Sequence, residues 1–304
     1  MSSQNLFFKT DAFKKLYPFS SHFMPIRGLD YHYLDEGTGE PLVMVHGNPT
    51  WSFYFRSLVK GLSPQYRCLV PDHIGCGLSE KPDGNRYDFR AKSRVEDLEI
   101  FLDHLNIKEN LTLILHDWGG MIGMAYAVNN PERIKRLVIL NTAAFFLPKR
   151  KKLPIRLQVA RNLRTFAERA ILHLNLFAIA ALYMASAKGL EKAVKKSLIA
   201  PYNTPGNRLA VLKFVQDIPL IPSDPSYSVV NHTQRNLYRL KDKPMLICWG
   251  MKDFVFDNDF LVEWRQRFPE AEVHRFPNAG HYILEDQPDS VLKYINEFLN
   301  DTYE

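Results

Sequence analysis

A chain of 304 residues, 46% hydrophobic and 24% charged, can bury one large core, with or without an insertion, and reads as a soluble globular protein. Three cysteines, Cys68, Cys76 and Cys248, are too few and too scattered for a disulfide framework or a metal cluster, which favours a reducing cytoplasm. The net charge of +6 is uneven: residues 143–240 hold 16 Lys and Arg against 4 Asp and Glu, a local excess of +12 that attracts anionic lipid or an acidic partner, while no nucleic-acid motif accompanies it.

The opening stretch, MSSQNLFFKTDAFKK, has no apolar run of signal-peptide length, so no export signal is expected. Further along, PLVMVHG, YRCLVPDH, LTLILHD, RLVILN and PMLICWG are near-continuous apolar runs, as expected of parallel strands covered on both faces. Helical patterns separate them. Ser93 and Glu96 form a capping box ahead of VEDLEIFLDHL, and Pro131 follows a helix that begins after Trp118. The order predicts an α/β protein with a doubly wound, mostly parallel sheet, its ligands gathered at the carboxyl ends of the strands.

The alternation stops after Phe145 and resumes near Lys243. Between them lie the basic cluster PKRKK, the uncharged run Ala170 to Ala187, and proline-punctuated segments. This predicts an inserted helical cap at 143–240, between a first core part at 1–142 and a second at 241–304. The uncharged run falls short of a membrane span and is read as a helix buried between cap and core; the alternative is a helix that lines an acyl tunnel or touches a bilayer.

Asp117 ends the strand LTLILHD and is followed at once by a helix, the context of a nucleophile elbow with aspartate in place of serine. Leu115 replaces the pattern's first small residue, and Gly119 keeps the second. A carboxylate needs no base to attack an electrophilic carbon, and the resulting ester calls for a histidine and an acid that orients it. In chain order the candidates are Asp253 in CWGMKDFVFD, preferred to Asp257 because it lies closer to the strand end, and His281 in NAGHYILED. The strand before HGNPTW places the backbone N–H of Asn48 near the elbow, where it forms an oxyanion hole with that of Trp118; the two side chains add N–H donors for a leaving anion.

HGNPTW, PDHIGCGLSEKP, HDWGG, WGMKD and AGHY together resemble the α/β-hydrolase superfamily, specifically its haloalkane dehalogenase branch, over essentially the whole chain. That resemblance implies an α/β-hydrolase fold, Asp117 as nucleophile, His281 as base, Asp253 as acid, Asn48 and Trp118 as anion-stabilising donors, and no cofactor or metal. Some relatives carry the acid after the preceding strand, where this chain has Asn141. Within the branch, HDWGGMIG, LNTAAFFLP, FVQDIPL and WGMKDFVFD resemble the β-lactone decarboxylases of bacterial long-chain olefin biosynthesis. Their substrate would be a cis-3,4-dialkyl β-lactone, lost as cis-alkene and carbon dioxide. Such a protein would take a long-chain apolar substrate, no nucleic acid, and meet a membrane or fellow olefin-biosynthesis enzymes through its basic cap. The runner-up is a haloalkane dehalogenase. An epoxide hydrolase would want cap tyrosines, for which Tyr183, Tyr202 and Tyr227 are available, and a binding protein on this scaffold would have no use for the triad.

Overall fold

A computed structural model describes residues 15–148 and 151–302; the opening stretch before residue 15, and Lys149 and Arg150 of the basic cluster, lie outside them. Eight strands form one sheet in the order β1-β2-β4-β3-β5-β6-β7-β8. They are β1 (Ser21–Ile26), β2 (Leu29–Glu36), β3 (Pro41–Val45), β4 (Arg67–Pro71), β5 (Leu111–Asp117), β6 (Ile134–Thr142), β7 (Met245–Gly250) and β8 (Glu272–Phe276). β1, β2 and β4 pair antiparallel at one edge, and every other pairing is parallel. The five apolar runs all lie on parallel strands. The hairpin of β1 and β2 and the last strand β8 carry mixed polar and apolar residues, so their sequences give no such run.

Alternation along each central strand explains why those runs are continuous. Val43, Leu113, Leu115 and Ile139 face one hydrophobic cluster, whereas Leu42, Met44, Ile114 and Leu140 face the other. Both faces are dry, so both residue parities are apolar. The flanking helices are α1 (Arg56–Leu62), α2 (Ala91–His104) and α3 (Trp118–Asn129) before β6, and α10 (Asn258–Arg267), α11 (Ile283–Asp286) and α12 (Pro288–Asp301) after β7.

The capping box does not form. α2 starts at Ala91, so Ser93 lies inside the helix, and the amide of Ala91 donates to Asp217 Oδ2 (2.9 Å) and Ser226 Oγ (3.1 Å). The helix begins two residues before the predicted cap, and a carboxylate distant in sequence satisfies its first N–H.

Between β6 and β7 the chain forms α4 (Ile155–Asn162), α5 (Arg164–Glu168), α6 (Leu176–Met184), α7 (Lys192–Ile199), α8 (Leu209–Gln216) and α9 (Tyr227–Asn236). α9 packs on α3. Ala167, Ile171, Ala178, Val211 and Val215 build a small separate core among these helices. The uncharged run is not the single buried helix expected of it. It breaks at Asn175, whose φ is 53°, and the helical pieces Thr165–His173 and Leu176–Met184 meet at a 71° bend. Arg208 stabilises the break by donating to the carbonyls of Leu172 (2.6 Å) and His173 (3.3 Å), which the interrupted helix leaves open. Among the described residues no single helix is long and apolar enough to cross a membrane.

The elbow after β5 depends on missing side chains. A Cβ at Gly119 would overlap the carbonyl oxygen of Val45, a backbone atom on the neighbouring strand. Gly119→Ala should therefore destabilise the fold by about 3 kcal/mol, read as a shifted urea midpoint. A change within about 0.5 kcal/mol, the usual range for harmless surface substitutions, would mean that the strand and helix are not packed this closely. Leu115, the departure from the small-residue pattern, is accommodated one helical turn later: its side chain occupies the space a Cβ on Gly123 would need.

Candidate active site

The sheet brings the ends of β3, β5, β6, β7 and β8 to one rim. Val45 is in register with Leu115, and Asp117 with Thr142, after a shift between His116 and Asp117. Asp117 sits at φ 53° and ψ −125°, a conformation that a non-glycine residue holds only when its surroundings impose it. Thr142 Oγ1 donates to the Asp117 carbonyl and helps fix it there.

The two oxygens of the Asp117 carboxylate have different surroundings. Oδ1 accepts a hydrogen bond from the backbone N–H of Asn48 (2.7 Å), and Oδ2 lies 3.4 Å from His281 Nε2. The Asn48 amide, one of the two expected oxyanion donors, is thus occupied by Oδ1 of Asp117, and Oδ2 is held by no backbone amide. His281 Nδ1–H donates to Asp253 Oδ2 (2.8 Å). Asp253 Oδ1 accepts from the amides of Val255 (2.7 Å) and Phe256 (3.1 Å), so the acid is anchored by the turn that follows β7. Asp257 instead caps α10 by accepting from the amide of Asp259 (3.1 Å), and it pairs with Lys151.

Electrostatics favours charge on Asp117 and His281. Burial alone would raise the Asp117 carboxyl, but the hydrogen bond and charge of His281 hold it below the usual carboxylate range. Burial works against the His281 imidazolium, yet the flanking carboxylates of Asp253 and Asp117 push it up to about 10. The two neighbouring side chains thus favour the imidazolium form of His281.

Three contributors carry no earlier assignment. Asn141, noted only as the absence of an acid, donates from Nδ2 to Asp253 Oδ2 (3.0 Å) and accepts from the amide of Gly250 (2.8 Å). His116, beside the nucleophile, donates from Nε2 to the His281 carbonyl (2.9 Å), and burial followed by the His281 charge pushes it down to about 3, so it stays neutral. Asp286 accepts from the amide of Gly280 (2.7 Å) and from Ser186 Oγ (2.6 Å), tying the His281 loop to the end of α6, where the Tyr282 amide also donates to the Ala185 carbonyl (2.8 Å). Each lies in a quoted motif. What sequence lacks is the long-range partner that gives each its purpose.

Above the carboxylate opens a cavity of about 600 Å³. Asp117, His281, Asn48 and Trp118 line its polar end, and apart from Arg156 and Tyr282 the rest is apolar, including Phe145, Leu153, Phe177, Met184, Val215 and Phe256. Asn48 Nδ2 gives one hydrogen to the Val211 carbonyl (3.1 Å), which leaves its second for the site. Among the described residues the Trp118 side chain packs against Phe214, with ring centroids 5.3 Å apart, and its indole N–H has no protein acceptor. No cluster of His, Cys, Asp and Glu suited to a metal occurs among the described residues.

Comparison with known proteins agrees with this geometry. A family model described as alpha/beta hydrolase fold matches residues 40–288. The chain is 52% identical to a cis-3-alkyl-4-alkyloxetan-2-one decarboxylase of Shewanella oneidensis, covering 94% of this chain and 90% of that one. It is 43% identical to the protein of the same name from Xanthomonas campestris, covering 93% and 97%. A solved structure of a variant of the haloalkane dehalogenase DatA from Agrobacterium tumefaciens superposes with a TM-score of 0.82 at 25% identity, over 92% of this chain and 96% of that one. The strained aspartate at the end of β5, the histidine after β8 and a match of this extent lead to one conclusion: the chain belongs to the α/β hydrolase fold family.

Proposed function

We propose that this protein is a cis-3-alkyl-4-alkyloxetan-2-one decarboxylase, with Asp117 as nucleophile, His281 and Asp253 as its charged support, and Asn48 and Trp118 as donors to the leaving carboxylate. The observation that carries the reading is a charged triad at the floor of an apolar cavity, in a chain 52% identical to a protein named for that reaction.

Asp117 Oδ2 attacks C4 of the lactone from the face opposite the ring oxygen. The C4–O bond breaks, its electrons pass to the carboxylate that remains on C3, and an aspartyl ester forms. The C3–carboxylate bond then breaks. Its electron pair forms the C3=C4 double bond, the C4–O bond to Asp117 opens, and carbon dioxide departs. Inversion at C4 followed by anti elimination keeps both alkyl groups on one side, so a cis lactone yields a cis-alkene. Attack at the carbonyl carbon would instead leave an alkoxide on C4, a poor leaving group.

No proton or water enters this balance, which gives His281 a different task from water activation. One negative charge moves from Asp117 to the substrate carboxylate and back, and the imidazolium remains beside it as counter-ion. The substrate carboxylate replaces the charge that Asp117 loses in the ester, so the imidazole stays protonated and the ester is protected from hydrolysis. Dehalogenation is the second reading, favoured by the unshared indole N–H of Trp118, which suits a halide. The cap tyrosines Tyr183, Tyr202 and Tyr227 do not line the cavity, which disfavours an epoxide substrate. We also propose that the basic stretch 143–240 is a cap through which the insoluble lactone arrives.

Purified protein given a cis-dialkyl β-lactone should release alkene without β-hydroxy acid, and should liberate bromide from a long-chain bromoalkane far more slowly. Bromide release outpacing alkene formation would install the second reading.

A further inference from the structure

α6 is unusual for a helix at the surface. Its sequence, LFAIAALYM, contains no charged residue, and its one polar atom is the Tyr183 hydroxyl. Positions 176, 179, 180 and 183 recur at helical spacing and form one face. That face points outward: Leu176, Ile179 and Tyr183 are 47%, 37% and 68% exposed, and Leu174, at the bend just before the helix, is 61% exposed. Adjacent positions of the same helix, Ala181 and Met184, line the cavity above Asp117, as does Ala180. The apolar surface and the apolar interior are therefore two sides of one nine-residue helix.

Cations frame this face. Arg156, at the start of α4, reaches Met184 Sδ with its guanidinium (2.9 Å), and Lys195 Nζ stands 4.0 Å from the centroid of the Tyr183 ring. Lys188, four residues past α6, donates from Nζ to the Asp286 carbonyl (2.5 Å), and exposed Lys192 and Lys196 on α7, which packs on α6, outnumber the exposed carboxylate beside them, Glu191. An aliphatic ridge with lysines and arginine at its edge and no carboxylate within it matches the cross-section of an anionic bilayer: acyl chains below, phosphate above.

We infer that the outer face of α6, with the bend at Leu174, docks on an anionic lipid surface and places the cavity mouth at the acyl region, so that the dialkyl lactone passes from membrane to active site without crossing water. The identity of the cargo rests on the decarboxylase reading; the docking itself does not. The bend at Asn175 serves this geometry by laying α6 along the surface as a short interfacial helix rather than across it.

The test is flotation of the full chain, without substrate, with phosphatidylcholine vesicles that do or do not contain phosphatidylglycerol. The protein should float with the phosphatidylglycerol vesicles and release at high salt. The combined variant Leu176→Ser, Ile179→Ser, Tyr183→Ser should lose at least about tenfold in partitioning. Lys192→Glu with Lys195→Glu should lose a similar factor through charge. Both variants should turn over a short-chain, water-soluble lactone as the parent does, because none of these side chains lines the cavity. Equal flotation of parent and serine variant, or no flotation of the parent, overturns the inference. So does a parent dimer that the serine variant converts to monomer without any vesicle binding, since a second copy would then cover the face. Vesicle binding without lactone turnover would instead sink the decarboxylase assignment alone.

Discussion

Asp117→Asn should lower conversion of a cis-dialkyl β-lactone to alkene by about 10⁴-fold or more, measured as headspace or extracted alkene, while the folded structure persists. The amide is nearly isosteric with the carboxylate, so its oxygen can still accept from the Asn48 amide at the Oδ1 position. On the proposed mechanism, what is lost is the oxygen that attacks C4, Oδ2. The substitution also withdraws one of the two charges that hold the imidazolium, so His281 should titrate lower than about 10. A variant that keeps activity within tenfold of the parent would rule out a covalent aspartyl ester, and with it the stereochemical account of the cis-alkene.

The parts that sequence revealed and the parts it hid divide by range of interaction. The strand ends, the elbow at Asp117 and the loop at His281 were legible because each rests on neighbours a few residues away: an apolar run, a turn, a small residue. The choice of Asp253 over Asp257 was also local, and the structure gives Asp257 a capping bond within its own helix. Ser93 misled because the helix starts earlier than the local pattern says: Asp217, 126 residues from Ala91, accepts the amide at its first residue. The break at Asn175 was hidden for the same reason, since Arg208 holds it from another helix and composition alone favoured a continuous one. Asn141 looked like an absence. Only the approach of β6 to β7 turns it into a hydrogen-bond donor for the acid.

That approach yields the second large effect. Asp253→Asn should reduce turnover by roughly 10² to 10⁴-fold, the scale seen when the acid of such a triad becomes an amide. Asp253 accepts from four donors, namely His281 Nδ1, Asn141 Nδ2 and the amides of Val255 and Phe256. An amide must turn its NH₂ toward one of these pairs, so two donors face each other and the imidazole loses its orientation. The sign of the pH effect follows from the cause of the shift. His281 is raised chiefly by the Asp253 charge, so the ion-paired state is complete below the usual histidine value and fades as pH rises through about 10; without that charge the alkaline limb of kcat/KM moves to lower pH. Asn141→Asp added to Asp253→Asn should recover about tenfold of the lost rate, because it returns a carboxylate to the other end of the same 3.0 Å contact. Recovery should stay partial. Asn141 Nδ2 also donates to the Gly250 carbonyl (3.1 Å), and a carboxylate there would face that oxygen without a proton between them. If the double variant is no better than Asp253→Asn alone while its alkaline limb does return upward, charge is restored but orientation is not, and the fixed direction of the His281 ring is then the larger share of what Asp253 provides.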